Sequence, residues 1–193
     1  MPSDNSVTNA SRLLSEILRH KPEKIGLQLD AQGWARIEDI LNKAPALKGV
    51  ALTRSLIDRA VAENDKKRFL VSDDGAMIRA LQGHSVEVDL QLAKAVPPTR
   101  LFHGTVEKSV PSILKQGLIP MNRHHVHLSA DLDTAQRVAS RRKGQKTVLL
   151  AVDCKAMLAS GCQFYLSENR VWLVDHVAPQ FLTCIEPDHE PKP

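Results

Sequence analysis

Between Ala95 and Thr99 the chain reads Ala-Val-Pro-Pro-Thr, and apolar residues are spaced differently on its two sides. Two consecutive prolines hold φ near one value and push the residue before them into extended backbone. Neither a helix nor a central strand runs through such a segment. In a chain of 193 residues a break there predicts two small domains, over residues 1–95 and 99–193. Hydrophobic residues make up 42% of the chain but aromatics only 4%, so each core must be mostly aliphatic. Extensive base stacking on aromatic platforms is disfavoured for the same reason.

Before the break, Leu13, Leu14, Ile17 and Leu18 recur at helical spacing and end at Arg19-His20-Lys21-Pro22. Asn9 or Ser11 is the expected cap, with residues 1–10 frayed. Asp30 to Gly33 reads as a turn, and Trp34, Ile37, Ile40 and Leu41 as a second helix stopped at Ala44-Pro45. Thr53 suits the N-cap of a third helix carrying Leu56, Ile57, Ala60 and Val61. Arg68 to Val71, a turn at Ser72 to Gly75, and Met77 to Ala80 read as a hairpin. Helices followed by a hairpin predict a winged helix, a small fold often used on nucleic acids.

After the break the pattern is many short strands and two helices. Leu101-Phe102 is a short strand ending at His103-Gly104-Thr105, and Val110, Ile113 and Leu114 give a helix stopped by Gly117 and Pro120. Val126 to Leu128 is the next strand, and Asp131 or Asp133 caps a helix through Arg142. Residues 147–152, 164–166, 171–174 and 181–185 are further strands, and the chain from Glu186 reads as a loose tail. The fold class is therefore α+β, with a curved or split sheet in the second half.

Several function classes drop out. The net charge of +4 favours an acidic partner, yet neither half is a basic tail. Cys154, Cys162 and Cys184 form no CxxC pair and suggest a reducing compartment. No apolar run is long enough for a membrane span and no signal-peptide core opens the chain, so a cytoplasmic location with no membrane partner is expected. GxGxxG, Walker A, GxSxG and HExxH patterns are all absent.

What remains is a set of arginines and histidines at the ends of predicted elements. Arginine binds phosphate through a planar fork and keeps its charge, while histidine adds a hydrogen bond tunable near neutral pH. Arg19-His20 also suits a helix C-terminus that merely favours cations, and Lys66-Lys67-Arg68 a solvated wing. At His103-Gly104-Thr105 glycine lets backbone approach a ligand closely, while imidazole and hydroxyl offer hydrogen bonds to a ribose or amide; a plain turn fits as well. Arg123-His124-His125-Val126-His127 puts two histidines on one strand face, but no acid or cysteine nearby completes a metal site. Arg137, Arg141, Arg142, Lys143 and Lys146 form a basic run that either faces solvent or borders a pyrophosphate.

In order along the chain, the landmarks are Ser11-Arg12-Leu13-Leu14 through Arg19-His20, Gly33-Trp34, Asp65 to Phe69, and Ile78-Arg79-Ala80-x-Gln82-Gly83-His84-Ser85. Phe102 to Thr105, Gly117 to Ser129 and Asn169-x-Val171-Trp172-Leu173 follow. This series resembles the KptA family of NAD-dependent RNA (tRNA) 2'-phosphotransferases over most of the chain. The resemblance implies an N-terminal winged-helix lobe that binds RNA and a C-terminal lobe of ADP-ribosyltransferase type that binds NAD as co-substrate. It implies that Arg19, His20, Arg68 and Arg123 grip an internal 2'-phosphate of RNA. His103, Gly104, Thr105, His127, Arg141 and Val171 would line the NAD site, with no metal and with a monomer sufficient. Val171 stands where many ADP-ribosyltransferases carry a glutamate, which a phosphate nucleophile makes unnecessary. Ala139 and Arg170 depart from the family's usual glycines. Two other readings are weighed: ADP-ribosylation of a terminal phosphate without the second step, and a non-enzymatic winged-helix binder.

Overall fold

The computed structural model describes residues 4–44, 51–63, 67–142 and 144–185. The helix stop expected at Pro45, the Asp65-Lys66 part of the landmark series, Lys143 and the tail from Glu186 lie outside them. The chain divides into two compact units, Met1–Leu92 and Ala93–Pro193. Both mix helices with small antiparallel sheets, so the α+β expectation holds.

The first unit is built on α1 (Asp4–Arg19), α2 (Ile37–Lys43) and α3 (Arg54–Ala62). Helix α1 starts well before Asn9 because Val7 and Ala10 belong to its buried stripe with Leu13, Leu14, Ile17 and Leu18. Each large aliphatic side chain so buried contributes about 1.5–3 kcal/mol. Thr53 caps α3 as expected, its hydroxyl accepting from Leu56 N at 3.2 Å. Strands β2 (Phe69–Val71) and β3 (Met77–Ala80) form the predicted hairpin, and a third strand joins it. That strand, β1 (Trp34–Arg36), corrects the helix expected from Trp34: Trp34 pairs with Arg79 and Arg36 with Met77, and α2 begins only at Ile37. The sheet order is β1-β3-β2. Beyond β3, Asp89 N donates to Ala31 O at 2.8 Å.

The second unit holds two three-stranded sheets, ordered β4-β6-β9 and β5-β8-β7. The first comprises β4 (Arg100–Val106), β6 (Thr147–Asp153) and β9 (Leu182–Ile185); the second comprises β5 (Val126–Leu128), β7 (Tyr165–Leu166) and β8 (Trp172–Val174). β4 runs on to Val106, so His103, Gly104 and Thr105 lie inside a strand paired with Leu150, Leu149 and Val148, not at its end. Helices α4 (Val110–Gln116), α5 (Leu132–Ala139) and α6 (Cys154–Ala159) complete the unit, and α6 is an element that sequence periodicity did not suggest. Asp131 caps α5, which stops at Ala139, three residues short of the expected end. Leu101, Leu150, Val152, Met157, Phe164 and Trp172 centre the core. Ala95 N donates to Phe164 O and Pro97 is buried, so the Ala95 to Thr99 segment packs on this unit. Among the described residues no helix is long and apolar enough to cross a membrane.

Candidate active site

Arg19 links the end of α1, where His20 follows it, to the backbone of Arg68 in the first unit. Arg19 closes α1, where the last carbonyls have no partner within the helix. Its carbonyl accepts from Ser85 N at 2.8 Å and Val86 N at 3.3 Å. The residue is only 9% exposed, and its Nη2 donates to Arg68 O at 3.3 Å while the guanidinium lies over the Phe69 ring, 5.9 Å from its centroid. Arg68 O also accepts from Leu81 N at 3.0 Å. Arg19 therefore does more than offset a helix dipole: it fixes the backbone that carries Arg68. Lys67, just before, adopts a left-handed φ of 40°, a conformation kept only where its surroundings impose it. His20 is exposed, with Nδ1 3.0 Å from Ser85 Oγ. In the sheet of the same unit, the Arg79 guanidinium stacks 4.7 Å above the Trp34 ring, as expected for residues directly opposite across β1 and β3.

In the second unit the two sheets meet where β4 approaches the end of β5. Phe102 and Ser129 exchange backbone hydrogen bonds of 2.9 and 2.8 Å. His103 Nδ1 lies 3.1 Å from His127 O. A carbonyl oxygen only accepts, so Nδ1 carries the proton and Nε2 the lone pair. Burial lowers the His103 pKa, the His127 carbonyl opposes the shift, and the charge of Arg142 adds to it. At neutral pH the ring is thus uncharged, with Nε2 ready to accept from a hydroxyl. His127 Nδ1 donates in the same way to His125 O at 3.1 Å. Thr105 shares the His103 face of β4 by strand alternation and is 3% exposed.

Gly104 faces the other way. A Cβ there would sit 2.2 Å from Ala135 O and 2.9 Å from Ala139 Cβ, so the glycine lets α5 lie against β4. The close approach predicted for a ligand is, on this face, the approach of a helix. Ala139 is buried in the same contact. Arg170, the second departure, is exposed with φ 62° in a turn closed by Arg170 N to Ser167 O at 2.9 Å. A position in the left-handed region is one that glycine occupies without strain. Val171 follows it, its N donating to Ser167 Oγ at 3.1 Å, half-buried at the entry to β8.

The basic run separates into two kinds of residue. Arg137 donates to Thr134 Oγ1 at 3.0 Å and Lys146 pairs with Glu107 at 2.6 Å. Arg141 and Arg142 instead act on the site: desolvation first and the like charge of Arg141 second lower the Arg123 pKa, while Arg142 acts on His103. Arg123 is exposed as a residue although its guanidinium is partly desolvated, and a guanidinium stays charged regardless. Arg142 and Ser85 are the neighbours that sequence reasoning left without a role. Arg142 was visible only as part of the run, and Ser85 only as the last residue of a landmark. Among the described residues no group of three or more His, Cys, Asp or Glu is placed to hold a metal ion. Cys154 is buried and its thiol is pushed up to about 11, so it is no nucleophile at neutral pH.

A family model described as RNA 2'-phosphotransferase, Tpt1 / KptA family, matches residues 4–176. A "Probable RNA 2'-phosphotransferase" of Burkholderia pseudomallei is 54% identical over 175 residues, which cover 91% of this chain and 94% of the relative. One of the same description from Rhodopirellula baltica is 51% identical over 184 residues, 95% of this chain and 98% of the relative. Another, from Fusobacterium nucleatum, is 48% identical over 179 residues, 93% and 98%. With an α+β fold and clusters of arginine and histidine, the chain is a transferase. It belongs to the RNA 2'-phosphotransferase, Tpt1 / KptA family.

Proposed function

We propose that this protein removes an internal 2'-phosphate from RNA, of the kind left at a tRNA splice junction, by transferring it to NAD. A 2'-phosphate oxygen attacks the anomeric carbon of the nicotinamide ribose; the C–N bond breaks and nicotinamide leaves with the electron pair. The ribose 2''-hydroxyl then attacks the phosphorus. The bond to the RNA 2'-oxygen breaks, that oxygen takes up the proton, and ADP-ribose 1'',2''-cyclic phosphate departs. The first unit is read as a winged-helix lobe for RNA and the second as an ADP-ribosyltransferase-like lobe for NAD, working in the cytoplasm as a monomer.

The observation that supports this reading is the bond from Arg19, the neighbour of His20, to the Arg68 carbonyl in a chain whose relatives are named RNA 2'-phosphotransferases. Transfer between two anions needs charge compensation and orientation more than a protein nucleophile. Arg68 and Arg123 supply fixed positive charge, Arg19 holds Arg68 in place, and His20 offers a hydrogen bond and a proton. His103 Nε2 accepts from a ribose hydroxyl, with His127 and Thr105 shaping the same strand pair. Arg141, with Arg142, meets the pyrophosphate, and Val171 fills an apolar position beside the ribose.

The test is an oligoribonucleotide bearing one internal 2'-phosphate, incubated with and without NAD and weighed. Loss of one phosphate group only with NAD supports the reading. Replacing Arg68 by Ala is expected to slow that loss by about 100-fold or more. ADP-ribose gained by a control strand that has a terminal phosphate and no 2'-phosphate would instead favour terminal ADP-ribosylation, and full activity of Arg68→Ala would overturn the role of Arg68.

A further inference from the structure

Ser85 closes the last of the landmark motifs in the first unit. Its position is set by backbone. Ser85 N and Val86 N donate to Arg19 O at 2.8 and 3.3 Å, docking the exit from β3 on the end of α1. The next residue of that helix end is His20, so the docking brings Ser85 Oγ to 3.0 Å from His20 Nδ1. Ser85 Oγ also lies 3.4 Å from Arg19 O. A hydroxyl has one proton and two lone pairs, whereas a carbonyl oxygen can only accept. With the hydroxyl proton turned to Arg19 O, a lone pair faces Nδ1, which is the arrangement that suits an Nδ1–H ring.

We propose that Ser85 is the positioning residue of His20: it holds Nδ1 protonated and fixes the ring plane, so that Nε2 alone exchanges a proton with the phosphate-bearing substrate. The same acceptor suits the neutral Nδ1–H ring and the imidazolium, so the ring passes between the two without reorganising its anchor. Both residues are exposed, and water competes for Nδ1. The hydroxyl prevails because two backbone hydrogen bonds already hold it in place, which removes most of the ordering cost. This role rests on the phosphotransferase reading, while the tautomer it requires does not.

The full chain labelled with 15N-histidine reports the tautomer directly in long-range 1H–15N spectra, His20 being assigned by its disappearance in His20→Gln. The wild type is expected to show the Nδ1–H form at a pH where the ring is neutral, and Ser85→Ala to shift His20 toward Nε2–H. Ser85→Ala keeps the backbone donor to Arg19 O, so its thermal unfolding should match the wild type. On 2'-phosphorylated RNA it should lose about tenfold or more in kcat with KM little changed, as when the partner that orients a working histidine is removed. Ser85→Thr, which keeps the hydroxyl at an exposed position, should restore both readouts. A wild-type His20 in the Nε2–H form, or a tautomer that Ser85→Ala leaves unmoved, overturns the proposal whatever the activity. A wild type that transfers no phosphate sinks the phosphotransferase reading but leaves the tautomer result standing.

Discussion

Replacing Gly104 by Ala asks whether this glycine serves the fold or a ligand. The added Cβ would lie 2.2 Å from Ala135 O, 2.9 Å from Ala139 Cβ and 3.0 Å from Ala135 C. Two of the three obstacles are backbone atoms of α5, which cannot rotate out of the way as a side-chain end could. Relief requires α5 to move off β4, and forced overpacking of this kind costs about 1–3 kcal/mol; the 2.2 Å contact places Gly104→Ala at the upper end. At about 2–4 °C per kcal/mol for a chain of this length, the melting temperature should fall by about 6–12 °C. Gly104 is not in the left-handed region, so backbone strain adds nothing to this figure. Urea unfolding without ligand, followed by circular dichroism, measures the cost. Adding Ala139→Gly removes only the 2.9 Å contact and should recover only a small part of it. If glycine is there to admit a ligand, Gly104→Ala keeps wild-type stability and loses binding alone. A change within about 0.5 kcal/mol would refute the packing argument.

Two further outcomes follow from the same unit. Arg170 adopts φ 62°, which costs an L-residue roughly 1–2 kcal/mol; glycine removes that cost but adds unfolded-state entropy. Arg170→Gly should therefore raise stability by up to about 1 kcal/mol, and a lower urea midpoint would contradict the assignment of strain. His103 gives a pH dependence. Burial lowers its folded pKa, so below the ordinary histidine value of about 6.5 the unfolded chain binds more protons than the folded one. Its contribution is full above that value and is lost as pH falls through the folded pKa. Urea midpoints compared at about pH 7.5 and about pH 5 should drop further in the wild type than in His103→Gln, and equal drops would remove His103 as the cause.

Local pattern sufficed where one stretch of chain decides its own fate. The stripe Leu13, Leu14, Ile17, Leu18 announced α1, Thr53 announced the start of α3, and turn residues at Ser72 to Gly75 announced the β2–β3 hairpin. Trp34 misled because residues 34, 37, 40 and 41 fit helical spacing, yet Arg79, Ile78 and Met77 of β3 claim the first three residues of that stretch. A backbone partner more than forty positions away leaves no mark in a window of ten.

The candidate site divides along the same line. Residue chemistry marks arginine and histidine as candidate phosphate ligands, and order along the chain marks the family, so the candidates were legible. Who supports whom was not. Arg19 reads as one more clamp along the chain, and the fold adds a bond from its Nη2 to Arg68 O that no local pattern announces. Gly104 looked like room for a ligand, but its missing Cβ faces α5. Ser85 stands 65 positions from His20, and only the docking of one loop on one helix end makes them neighbours. A phosphate-binding residue is recognisable by what it can bond to. A residue that positions it is recognisable only by what it already bonds to, and those bonds exist only once the chain has folded.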